Sequence, residues 1–162
     1  MYITDRYWGN YIGDTDDSLT LVEHLAGKGR EEIPLGELFA DFGLDKLNGS
    51  FRAPDVSLVY TVPERWETPI YYAIDLVSDL AALLLECKVN GGIDMHELDS
   101  GETSAPAVIR ITATPEEHEL INSALADFAA RPMAYDLSEM VPEEDMLELA
   151  AVCEALRSEL YD

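Results

Sequence analysis

The scarce side chains in this sequence are those that most often carry covalent and metal chemistry. Only two cysteines, Cys87 and Cys153, stand among 162 residues. Their spacing fits no metal motif and both fall in helical patterns, so reduced core thiols are expected rather than a disulfide. The three histidines, His24, His96 and His118, lie in three separate segments, which leaves no H-E-x-x-H pair and no Cys/His constellation. No serine sits in a G-x-S-x-G elbow and no glycine-rich phosphate loop occurs, so neither acyl transfer nor nucleotide binding is signalled. The opening MYITDRYWGN has no apolar signal-peptide core, and a cytoplasmic location is expected. Internal repeats and low-complexity tracts are missing too.

Bases are also few. Ten Lys and Arg face 33 Asp and Glu, for a formal net charge of −23. Residues 1–50 and 51–110 each carry 10 acids and 4 bases, whereas residues 111–162 carry 13 acids and 2 bases. A field of that sign repels nucleic acid and anionic membranes and speeds encounter with a basic protein. Solubility or salt tolerance would produce the same balance, and charge alone does not choose between them.

What the chain has in quantity is apolar sequence, 48% of it, enough for one ordinary core and most simply a single domain over 1–162. The most apolar run is Thr68 to Cys87, TPIYYAIDLVSDLAALLLEC. On a helical wheel Asp75, Ser78, Asp79 and Glu86 form a narrow polar stripe, with Ala82 between them, and the rest of the circumference is apolar. Such a helix is one that other elements surround. Asp75 and Asp79 near its middle exclude a membrane span. The stripe is expected to open to solvent where the surrounding helices leave a gap.

The other segments supply those helices. Thr15-Asp16-Asp17 caps a first helix with the apolar stripe Leu21, Val22 and Leu25, ending at Gly27 and Gly29. Asp14, Asp16 and Ser18 imitate an EF-hand opening, but Leu19 and Leu25 occupy the positions that need Gly and Glu, so calcium is excluded. Pro34 to Phe42 reads as a second helix with Pro34 at its first position and Gly43 as its stop. Thr114-Pro115-Glu116-Glu117 opens another, with Leu120, Ile121, Ala124, Leu125 and Phe128 facing inward. The last starts near Pro142 and buries Met146, Leu149, Ala150, Cys153, Leu156 and Leu160. Residues 57–62 and 107–112 are β-prone strands that would pair with each other. The expected fold is therefore mainly α (α+β), with about five helices packed around a central apolar helix at 68–88 and a small β element.

Four features carry candidate chemistry or contacts. Asp75 and Asp79 are a carboxylate pair that suits acid/base work or metal binding. Asp94, His96 and Glu97 form the best candidate metal group, in a polar loop over 93–105. Glu144 and Glu148 are an i, i+4 like-charge pair that costs helix stability, and the helix dipole does not explain Glu148. Trp66, in the charged loop PERWETP, is either a core plug or an exposed aromatic anchor.

Tyr7-Trp8-Gly9-Asn10-Tyr11-Ile12-Gly13, leading into Thr15-Asp16-Asp17-Ser18-Leu19-Thr20-Leu21, together with Glu32-Ile33-Pro34-Leu35, resembles small cytoplasmic immunity proteins of bacterial polymorphic-toxin systems. The resemblance implies a non-catalytic, acidic inhibitor that binds a toxin made by the same cell and blocks its active site. Many such toxins are nucleases with basic clefts, to which an acidic face is complementary. On that basis the expected partner is a basic toxin domain, with no nucleic acid, membrane or cofactor. The expected contact residues are Asp14, Asp16, Asp17, Trp66, Glu143, Glu144, Asp145 and Glu148, provided that the two helix N-termini lie together. The alternatives are a small enzyme or metal protein using Asp75/Asp79 or Asp94/His96/Glu97, and a housekeeping domain whose acidity serves solubility.

Overall fold

Six α-helices, a three-stranded sheet and a two-stranded ladder form the main regular elements of the described residues, a mainly α architecture as the sequence predicts. The computed structural model describes residues 1–9, 11–47, 49–52, 58–60, 68–98 and 107–162, with backbone alone for 58–60 and 68–70. Trp66 lies outside the described residues. The order is α1 (Asp16–Lys28), β1 (Glu32–Pro34), α2 (Leu35–Phe42), β2 (Leu58–Tyr60), β3 (Thr68–Ile70), α3 (Ala73–Asn90), β4 (Ile93–Asp94), α4 (Met95–Leu98), β5 (Val108–Thr112), α5 (Pro115–Ala130) and α6 (Glu143–Tyr161).

Capping chemistry sets the helix starts. Thr15 accepts from the Ser18 N–H at 3.0 Å while the Thr15 N–H donates to Ser18 Oγ at 3.3 Å. Thr114 and Glu117 make the same reciprocal pair at α5, at 3.2 and 2.8 Å. Each pair satisfies two N–H groups that a helix leaves free. Pro34 caps α2 from an extended conformation instead of occupying its first helical position, because residues 32–34 are drawn into a strand.

The central helix is α3. Its residues from Ala73 to Glu86 are all buried, and α1, α5, α6, β4 and β5 pack on it. It begins five residues later than expected. Pro69 biases Thr68 toward extended backbone, and 68–70 pair antiparallel with 58–60, Val59 opposite Pro69. Asp17 then takes the N–H groups of Tyr71 and Tyr72, each at 3.0 Å, and holds both residues outside the helix.

The expected pairing of 57–62 with 107–112 is replaced. β5 pairs in parallel with β1, Ile33 opposite Ile111, and antiparallel with β4, Ile93 opposite Ile109. β5 does alternate: Ile109 and Ile111 are buried while Val108 and Arg110 face out. Three residues around Ile33 are too short to show a strand period, so this partner was not visible in the sequence. The loop expected over 93–105 likewise starts with a strand and the helical turn of α4, and 99–106 lie outside the described residues.

The polar stripe of α3 does not meet solvent. Asp75, Ser78, Asp79 and Glu86 are 4%, 3%, 1% and 0% exposed. The gap between the helices is filled by the N-terminal arm, residues 1–15. The N–H groups of Arg6, Tyr7, Trp8, Gly9 and Asp14 bond carbonyls within the arm, those of Ile3 and Gly13 need other acceptors, and the stripe supplies them. Glu86 accepts from the Ile3 N–H at 3.0 Å and Asp79 from the Gly13 N–H at 2.8 Å. Tyr2 and Tyr7 close the other side of the arm by donating to Glu159 of α6.

Candidate functional site

The two helix N-termini do lie together. Asp14 and Thr15, entering α1, and Pro142, Asp145 and Glu148, at the start of α6, line one groove of about 420 Å³. Pro142, Asp145, Leu149 and Val152 recur at three- and four-residue intervals, so one face of α6 forms one wall. The opposite wall includes Tyr11, whose φ of 68° is the only positive value at a non-glycine among the described residues. A tyrosine in that region is uncommon and needs surrounding contacts to hold it. Here its hydroxyl donates to Asp75 Oδ1 at 2.9 Å. A second hollow, of about 430 Å³, flanks the other side of the α1 N-terminus between Trp8, Asp16, Leu19 and Leu98. Asp14 and Thr15 thus form a ridge between two concavities.

Asp14, Asp16, Glu143, Glu144, Asp145 and Glu148 are all exposed. None takes part in an ion pair among the described residues. The bases that find carboxylates find them elsewhere: Lys28 and Arg30 on Glu37, Lys28 and His24 on Asp41, Arg52 on Asp127, Arg110 on Glu32, and Arg157 on Glu154. Among the described residues no base is paired with the acidic corner between α1 and α6. Met140 and Leu147, 72% and 53% exposed, lie immediately before and within the first turns of α6.

Asp17 is the exception among the expected contact residues. It is 1% exposed and both its oxygens are taken by backbone N–H groups, so it stands beneath the surface as a clasp. Its neighbours are Asp75, within hydrogen-bonding reach, and Asp79. Burial pushes Asp75 up to about 8 and Asp79 up to about 7, with the charge of Asp17 adding to both. Burial also raises Asp17, against the two backbone donors that favour its charged form. Displaced carboxylates of this kind mark functional sites when they face a cleft. Neither of the two grooves described above is lined by Asp17, Asp75 or Asp79. Ser18 Oγ donates to Asp79 at 2.5 Å and completes its shell. The cluster pins the arm, α1 and the 71–72 backbone to α3.

The second candidate chemistry is dispersed. Asp94 Oδ1 accepts from the His96 N–H at 2.9 Å, a local turn bond, and Glu97 pairs with the N-terminal ammonium of Met1. Among the described residues no group of three His, Cys, Asp or Glu is placed to hold a metal ion. His118 is half-buried, with Nδ1 3.1 Å from the Tyr161 hydroxyl. Sequence reasoning missed Tyr11, whose role depends on a bond to residue 75, and Val141, Leu149 and Val152 as a groove wall. Only the exposed, unpaired Glu148 had given a signal.

No helix among the described residues is long and apolar enough to cross a membrane. Comparison with curated proteins and with solved structures found no match. A family model does match, and it covers residues 2–160, the arm, the groove and every helix. The chain belongs to the family described as Immunity protein 68.

Proposed function

We propose that this chain is a non-catalytic inhibitor that binds a toxin with a basic surface through its acidic corner and covers the toxin's active site in the cytoplasm. Membership of an immunity protein family supplies the toxin partner. The observation that carries the rest is the set of six exposed carboxylates at the α1 and α6 N-termini with no cation paired to them among the described residues. Like charges gathered in this way cost stability, and a basic partner recovers that cost on binding while its approach is steered by the field. Trp66 joins this reading as an aromatic anchor of the kind that dominates interface energies.

An immunity gene is expected beside its toxin gene, so the neighbouring gene product is the partner to test. Titration of that toxin domain should give a complex weakened about tenfold or more by Glu143→Gln, Glu144→Gln, Asp145→Asn and Glu148→Gln together. The four-fold variant should also lose most of the salt dependence of the parent. Unchanged affinity in that variant would sink the assignment of this face. Trp66→Ala is expected to cost about 2 kcal/mol of binding, and a neutral result would remove Trp66 from the contact surface.

A further inference from the structure

We propose that the groove between the α1 and α6 N-termini is a socket for a single arginine side chain of the partner; this rests on the reading of the chain as a binder of a basic protein. The groove is lined by two chemistries. Asp14, Asp145 and Glu148 bring three carboxylates to its lining, and Val141, Leu149 and Val152 bring apolar surface, with Asp145, Leu149 and Val152 side by side on one face of α6. Its volume of about 420 Å³ exceeds what one side chain fills, so a guanidinium enters with some of its stem and without displacing either helix.

Each part of an arginine has a counterpart here. Its three methylenes are apolar and settle against a greasy wall while the charged head reaches polar groups. Its planar head carries five donors in a fork that suits two carboxylates at once. Tyr11 adds an aromatic side chain, on which guanidinium groups stack. That tyrosine is held at φ 68° with its hydroxyl tied to Asp75, so the wall is in place before binding. Two helix N-termini also open here, and each acts as about half a positive charge. Three full carboxylates outweigh them, so the groove still attracts a cation. A lysine ammonium is a compact point charge that engages the carboxylates without the fork or the stacking. A bare ion leaves the apolar wall wet.

The test needs no toxin. Methyl-labelled protein is titrated at low ionic strength with acetyl-Gly-Arg-Gly-amide, and separately with the citrulline peptide, which has the same shape and no charge. The arginine peptide should give saturable shifts concentrated at the methyls of Val141, Leu149 and Val152, and the citrulline peptide should not. Asp145→Asn with Glu148→Gln should weaken the arginine peptide about tenfold. These side chains are exposed, so the variant keeps the fold, and its unperturbed spectrum checks that. Equal shifts from both peptides, or arginine shifts that spread evenly over surface acids such as Glu116 and Glu119 and survive the double substitution, overturn the socket. Toxin capture that persists while the peptide fails leaves the immunity reading intact and discards the socket alone. A working socket with no toxin capture does the reverse.

Discussion

Gly13 shows how much one residue of the arm carries. It sits at φ +80°, its N–H is held by Asp79, and an added Cβ would lie 2.2 Å from the Trp8 ring. Gly13→Ala therefore meets both backbone strain and a ring that cannot move without leaving its packing. It is expected to cost about 2–4 kcal/mol, seen as a lower urea midpoint. Gly9→Ala, at φ +97° with nothing near its Cβ, meets strain alone and should cost about 1 kcal/mol. Similar costs for the two would show that the Trp8 contact is unimportant. Thr114 is the legible counterpart: cap, first-position proline and reciprocal Glu117 were all visible in four consecutive residues. Thr114→Ala should lose about 1 kcal/mol in the same assay. Gly13 was visible as punctuation only, because its purpose depends on residues 5 before and 66 after it.

At the scale of the element, α3 was recognised by its apolar circumference, and its polar stripe was misjudged. A stripe of carboxylates on a buried helix looks like a solvent face when helices are the only covers considered. The arm covers it because the turns of the arm leave the Ile3 and Gly13 N–H groups for Glu86 and Asp79 to accept. Leu80 lies fully buried in that helix, and Leu80→Ala should cost about 2–5 kcal/mol. The stripe also predicts pH dependence. Asp75 and Asp79 rise from 3.8 to about 8 and about 7, so the folded chain holds protons that the unfolded chain has released. Their contribution to stability is whole below about pH 4 and is lost progressively as pH rises through about 7 to 8. The groups facing them are Asp17 and Ser18 from α1, Tyr11 from the arm and Cys153 from α6. Urea midpoints should fall from pH 6 to pH 9. Asp75→Asn, which imitates the protonated acid, should flatten that fall and stabilise the protein at pH 9 by about 2 kcal/mol. A slope identical to the parent's would mean that other groups set the pH response.

For the whole molecule the informative quantity is where the few bases sit. Ten bases cannot neutralise 33 acids, and those with partners are used on α2, α5, the C-terminal end of α6 and the sheet. Among the described residues none of them pairs with the corner that joins the α1 and α6 N-termini. Association with the toxin should accordingly slow and weaken as ionic strength rises past about 0.15 M, where screening reaches within about 8 Å. Stopped-flow association rates at several salt concentrations check this, and rates indifferent to salt would argue against an electrostatic face. Asp14, Asp145 and Glu148 were chosen from the sequence as exposed acids, and they do share a surface. Asp17, chosen on the same ground, does not, because its carboxylate is the acceptor that the 71–72 backbone needs.

Sequence alone determined the presence of α1, α2, α3, α5 and α6, the caps at Thr15 and Thr114, the central position of α3 and the acidic surplus, since each depends on residues within a few positions of one another or on simple counting. Tertiary structure decided which strands pair, what covers the α3 stripe, and that residues 14 and 145 face one groove. Those outcomes depend on contacts across long stretches of chain, where satisfying buried hydrogen-bonding groups outweighs any local preference.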